Sequence, residues 1–197
     1  MLRILDKNKV PVKGLRKYSD LCIENSIELD DKTLTFSVPY RNVRSAIVVE
    51  GYIETKEDRF VVKEIEKSSE GTANITAQLD LESLEGKPFR TFRSEEQTIK
   101  AALQLAFTGT GWTVGECSVS KKRTLSMANV SALDVLKQAL KTYRAEIKID
   151  SKKQSIDIYP EIGSDKGVYF SDQLNLRKLT VQYSTYDFYT EIEPYGK

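Results

Sequence analysis

The sequence predicts a mostly β, α+β protein: a barrel-like antiparallel sheet with an inserted α+β subdomain that holds two amphipathic helices. Three observations carry this. Short apolar runs of period 2, joined by brief polar links, fill the chain up to about Glu85. Two runs of helical period with capping residues lie between Ser94 and Pro160. Period 2 then returns from Leu176 to Ile192. The barrel-like domain is therefore expected to use residues 1–90 with 168–197, and the inserted subdomain residues 91–167.

The strands follow in order. Leu2 to Leu5 is a short apolar start. From Asp20 to Leu29, Leu21, Ile23, Ile27 and Leu29 share one face. Asp30-Asp31-Lys32 turns the chain into Thr33 to Val38, which alternates again, so the pair predicts a hairpin. Pro39 ends it, having no N–H to give the ladder. Ala46 to Thr55, Arg59 to Lys67 and Thr72 to Leu79 predict three more strands, and the short links between them suit an antiparallel meander or barrel.

The second stretch changes period. Ser94-Glu95-Glu96-Gln97 has the form of a capping box. Behind it Ile99, Ala102, Leu103, Ala106 and Phe107 share a helical face. Thr108-Gly109-Thr110-Gly111 stops that helix, since the glycines accept positive φ. Trp112 and Val114 open a strand, and Thr124 to Met127 predicts another. Ser131 caps a second helix with Leu133, Leu136, Leu140 and Tyr143 on one face. Glu146 to Ile149 and Ser155 to Tyr159 then alternate about the turn from Asp150 to Gln154. The last hairpin, Leu176 to Tyr183 and Asp187 to Ile192, is expected to complete the first sheet. The ending Tyr195-Gly196-Lys197 suggests a cut inside a longer protein.

Composition narrows the chemistry. The 197 residues carry 30 Lys+Arg against 29 Asp+Glu, a formal net charge of +1. A protein that neutralises phosphates usually shows a basic excess, so sequence-specific nucleic-acid binding is not expected. Histidine is absent, which removes Ser–His and Cys–His nucleophiles and the commonest catalytic zinc ligand. Enzymes built on carboxylates alone remain open. Cys22 and Cys117 form no CxxC pair. Cys22 is expected as a small buried hydrophobe in a strand, without a structural disulfide. The N-terminus has no signal-peptide h-region, and no apolar stretch approaches the length of a membrane span.

Each chemical motif has a plainer account. The glycines of Thr108–Gly111 follow a helix instead of opening one, and no Gly-Lys-Ser/Thr follows them, so a turn is favoured over a phosphate loop. Asp30/Asp31 and Glu54/Glu57/Asp58 have the composition of acid–base pairs for a glycan hydrolase. Both fall at expected hairpin turns, where solvated carboxylates are common. Asp150-x-Lys152 and Asp165-Lys166-Gly167 read as turns, not calcium loops. Lys121-Lys122-Arg123 lacks interleaved aromatics and reads as a solvated loop. Tyr183, Tyr186, Phe188 and Tyr189 form a local aromatic cluster that serves either an interface or the core. No catalytic, cofactor-binding or metal-binding residue is assigned.

The order of these features resembles a known family. The quoted features are Phe60-Val61-Val62-Lys63-Glu64-Ile65, Leu79-Asp80-Leu81-Glu82-Ser83-Leu84, and a helix running into Gly109-Thr110-Gly111-Trp112-Thr113-Val114. Ala132-Leu133-Asp134-Val135-Leu136 and Tyr143-Arg144-Ala145-Glu146-Ile147 follow, and Asn175-Leu176-Arg177-Lys178-Leu179 and Tyr189-Thr190-Glu191-Ile192-Glu193-Pro194-Tyr195-Gly196-Lys197 close the chain. Over essentially its whole length this resembles the N-terminal part of phage minor structural proteins of Gram-positive hosts. These are also called prophage endopeptidase tail or tail-associated lysin proteins, and are similar to baseplate hubs. The resemblance implies a trimeric virion structural protein at the tail tip, made in the host cytoplasm. It implies contacts with the distal tail and tape measure proteins and a channel for DNA. It implies that any peptidase or muramidase activity lies in later segments, so no cofactor and no membrane contact are expected. The competing expectation is a carboxylate-based cell-wall hydrolase of a phage tail.

Overall fold

A computed structural model describes residues 1–25, 32–164 and 166–167. The chain divides into Met1–Ile162 and Gly163–Lys197, and the architecture below is that of the first unit. The last predicted hairpin, with Tyr183, Tyr186, Phe188 and Tyr189, lies outside the described residues.

Seven strands build one curled, half-barrel antiparallel sheet. They are β1 (Leu2–Leu5), β2 (Pro11–Leu15), β3 (Ser19–Glu24), β4 (Thr33–Pro39), β5 (Tyr52–Glu54), β6 (Arg59–Lys67) and β7 (Thr72–Leu79). Their order is β2-β1-β5-β6-β7-β4-β3. In β4 and β7 alternation sets the faces as the sequence predicts, with Leu34, Phe36 and Val38 pointing into the core beside Ala73, Ile75 and Ala77. Phe60 and Val62 of β6 continue that face. Leu21 and Ile23 of β3, by contrast, stand exposed instead of forming a buried face.

Three differences in this half have physical causes. β2, unmarked by any clear alternation, forms because it pairs with β1. Ala46 to Thr55 yields only β5. Before it the chain winds through tight turns, with Ala46 N and Ile47 N both donating to Val43 O and Gly51 N to Val48 O. Val43, Ala46 and Ile47 plug the core from these turns, and Glu50 sits at φ 62°. An apolar run alone does not separate these paths. Cys22 lies on β3 as predicted but is exposed, because β3 is an edge strand with all six side chains open.

The remaining elements are α1 (Glu82–Glu85), β8 (Pro88–Thr98), α2 (Ile99–Ala106), β9 (Thr113–Cys117), β10 (Lys122–Ser131), α3 (Ala132–Tyr143), β11 (Glu146–Asp150) and β12 (Ser155–Tyr159). β8 and β10 make a two-stranded ribbon, and β11-β12-β9 a three-stranded sheet with β9 parallel to β12. Both helices bury the faces their spacing predicts, and their residues join the same hydrophobic core as the first sheet. Ser131 and Asp134 complete a reciprocal capping box on α3, and Arg144 ends it at φ 52°. Gly109 and Gly111 take φ 81° and 85°, as the turn requires. At Gly115 a Cβ would collide with the Asp157 carboxylate.

Ser94–Gln97 does not cap α2. These residues belong to β8, where pairing with β10 outweighs the local capping pattern, and the cap is Thr98, whose side chain accepts from Ala101 N. Lys122 and Arg123 likewise start β10 instead of lying in the loop with Lys121. Among the described residues no helix is long and apolar enough to cross a membrane.

Candidate functional site

The carboxylates singled out by sequence end up in an ionic seam, with different fates. Asp30 and Asp31 lie outside the described residues. The β5–β6 turn does carry Glu57 exposed to solvent, as predicted. Glu54 and Asp58 are buried instead. Glu54 Oε1 accepts from Arg59 Nε and Nη2 at 3.1 and 2.9 Å, and Arg3 lies 3.6 Å from its other oxygen. Asp58 pairs with Lys32 at 2.6 Å. Asp80, on the chain after β7, pairs with Lys9 at 2.9 Å and lies 3.8 Å from Arg59. Buried charges persist only when paired in this way.

The β11–β12 turn docks on the same place. Ser151 is fully buried, and its Oγ accepts from Arg59 N at 2.7 Å and donates to Asp58 at 3.5 Å. Lys152 Nζ donates to the carbonyls of Thr55 and Lys56, both at 2.7 Å. Nearby, Trp112 Nε1 donates to Ser83 Oγ at 2.9 Å. These oxygens are engaged in holding three turns together.

A second cluster adjoins the seam on the same face of β5, where Lys9, paired with Asp80, also lies over the Tyr52 ring. Lys63 Nζ bridges Glu82 at 2.7 Å and Glu50 at 3.2 Å, and Tyr52 donates its hydroxyl to Glu82 at 3.2 Å. Burial, with the charges of Asp80 and Glu82, pushes the Tyr52 phenol up to about 12. Burial alone would raise Glu82, but its bonds to Lys63, Glu50 and Tyr52 outweigh that and hold it below the usual range. Among the described residues, no group of three or more Cys, Asp or Glu is placed to hold a metal ion.

Contact surfaces are better represented. Within the described residues β2 and β3 end the seven-stranded sheet, and Val12, Leu21 and Ile23 stand exposed along them. Unpaired edges are templates for another chain. β8 pairs only with β10 among the described residues, and a cleft of about 570 Å³ lies between β8 and α2. It is lined by Arg93, Ser94, Glu95 and Gln97 with Ala101 and Leu105. Leu105 is 55% exposed, and Ser94, though buried, has a hydroxyl with no hydrogen-bond partner among the described residues. Across from Thr124 the ladder takes in both Glu95 and Glu96, with Glu96 at φ 48°. Sequence reasoning missed this corner, because the bulge and the orphan hydroxyl exist only once β10 is in place. Arg93 and Glu95 form an ion pair at this corner.

The chain's similarities bear on this geometry. The profile of the prophage endopeptidase tail N-terminal domain matches residues 2–79, and that of the prophage endopeptidase tail domain residues 87–158. No curated protein matches the chain in sequence. In structure it is similar to prophage tail protein gp18 of Listeria monocytogenes EGD-e, with a TM-score of 0.66 and 16% identity over 81% of this chain and 50% of that one. It is also similar to the 43 kDa tail protein of prophage MuSo2 from Shewanella oneidensis, with TM-score 0.57 and 12% identity over 81% and 52%. The tail protein of Neisseria meningitidis MC58 gives TM-score 0.56 and 8% identity over 95% and 61%. This chain thus spans 50–61% of the length of these solved proteins.

Proposed function

The chain belongs to the prophage endopeptidase tail family, and on that premise we propose that it is the structural N-terminal part of a baseplate-hub protein at the virion tail tip. Three copies would close the tail tube, meeting the distal tail protein on one side and the tape measure protein within. Residues 1–90 with 168–197 would form the barrel-like domain of the ring, and 91–167 the inserted subdomain. Synthesis would be in the cytoplasm of a Gram-positive host. Any lytic activity would reside in a further segment of a longer protein, outside these residues.

The observation that carries this reading is the contrast between engaged carboxylates and open strand edges. Glu54 and Asp58 are held by Arg59 and Lys32, whereas β2, β3 and β8 offer unpaired edges among the described residues. Catalysis needs free, positioned acids, and assembly of sheets needs free edges.

Tails purified after prophage induction provide the test. An antibody to this region should label one end of the tail, and quantitative mass spectrometry should give three copies per particle. Label along the tube, or absence from particles, would sink the proposal. A zymogram of this chain on host cell wall should stay dark; clearing lost in Glu57→Gln would favour the hydrolase.

A further inference from the structure

The corner between β8 and α2 collects features that a finished surface avoids. A hydroxyl is buried without a partner among the described residues, a leucine is exposed, the ladder bulges, and Glu96 holds a left-handed conformation, all around one cleft. Each costs stability, and such costs gather where a surface is completed by something else. The cleft wall is the outer edge of a strand. A row of main-chain groups is matched only by another extended backbone.

β3 is such a backbone. It is exposed on both faces and ends its sheet among the described residues. Its pairing with β4 sets Ile23 opposite Leu34, and Cys22 and Glu24 opposite Thr35 and Thr33 on the other face. In β8, Phe92 and Ser94 point inward to the helices, and Arg93 and Glu95 point outward. We propose that β3 of one copy adds as an antiparallel strand to the edge of β8 left unpaired among the described residues of the next copy, with Ile23 opposite Ser94.

Charge selects this arrangement. In the antiparallel register Ile23 lies toward Ala101 and Leu105, Glu24 beside Arg93, and Cys22 beside Glu95. A parallel strand with Ile23 at the same place would set Glu24 beside Glu95, and like charges on adjacent strands repel. The contact is heterologous, so repetition closes a ring or extends a fibre. One added strand buries less than the roughly 1,200 Å² of a stable interface. The pairing is therefore weak alone and is reinforced wherever copies are held together. It deepens the ring reading above by naming the strands that meet.

Cys22 is a natural reporter, since facing residues on paired strands lie within disulfide reach. In a Cys117→Ser background, the Glu95→Cys variant at high concentration should oxidise to linked dimers and trimers that reductant dissolves. Cys22→Ser should abolish them. Glu70→Cys, exposed at the β6–β7 turn, should link severalfold less. Glu24→Arg should cut the Glu95→Cys yield severalfold, and adding Arg93→Glu should restore it. Equal linking at Glu70→Cys and Glu95→Cys, or none at Glu95→Cys either in solution or in assembled tails, overturns the strand pairing. Tip labelling by the antibody with no Glu95→Cys linkage would remove this contact and leave the tail-tip reading standing.

Discussion

The ionic seam around Arg59 and the cleft beside β8 are both polar places in a β-rich molecule, yet they are built on opposite terms. In the seam, Glu54, Asp58 and Asp80 are all paired, and Ser151 accepts from Arg59 N and donates to Asp58. In the cleft, Ser94 has no partner among the described residues and Leu105 faces solvent. Buried polar groups rigidify a structure when satisfied and weaken it when not. The seam is thus where stability resides, and the cleft is where stability has been forgone.

If that contrast is sound, damage to the seam should be severe. Arg59→Ala leaves Glu54 buried with only Arg3 nearby, 3.6 Å away. Removing one partner of a buried pair costs roughly 3–5 kcal/mol. Urea denaturation should show it as a lower midpoint at unchanged slope. The double variant Arg59→Leu/Glu54→Leu should recover much of the loss, since an apolar pair of similar volume leaves no orphaned charge. A loss under about 1 kcal/mol in Arg59→Ala, the range of an exposed pair, would mean that the seam is solvated and the contrast mistaken.

Ser151→Ala probes the seam through a neutral group. It strips the acceptor from Arg59 N, a main-chain donor in a part-buried bond. An unsatisfied buried donor costs about 1–3 kcal/mol. The same denaturation series reads it, and the β11–β12 turn should lose protection in amide hydrogen exchange before the seven-stranded sheet does.

The two regions were not equally legible in the sequence. Alternation placed β4, β6 and β7, and the Ser131 cap with its apolar stripe placed α3, because those signals are local. The seam was only half visible. Its carboxylates could be named, but their cations stand far off in the chain: Lys9 is 71 residues from Asp80, and Ser151 is 92 from Arg59. Local sequence therefore reads Glu54 and Asp58 as solvated turn residues, and only folding shows them buried. The cleft misled more. Ser94-Glu95-Glu96-Gln97 satisfies the local grammar of a helix start, but β10 takes the segment as a strand, leaving Thr98 to cap the helix. Local and tertiary preferences conflict at Ser94, Glu95 and Gln97, which line the cleft, as expected where a sequence serves more than its own fold.

Ser94→Ala is the smallest and most discriminating change. Its hydroxyl is buried beside an inward row that includes Phe92 and Leu125, and nothing among the described residues accepts from it or donates to it. Deleting an unsatisfied buried hydroxyl removes a desolvation cost and forfeits no bond. The variant should be neutral or more stable by up to about 1 kcal/mol, opposite in sign to Ser151→Ala although the chemical change is identical. A loss as large as that of Ser151→Ala would show that the hydroxyl is engaged within the chain, and the two regions would then be alike. Unchanged or higher stability would show that the two serines, alike in chemistry, differ in what they bond within the chain, and would uphold the contrast between seam and cleft.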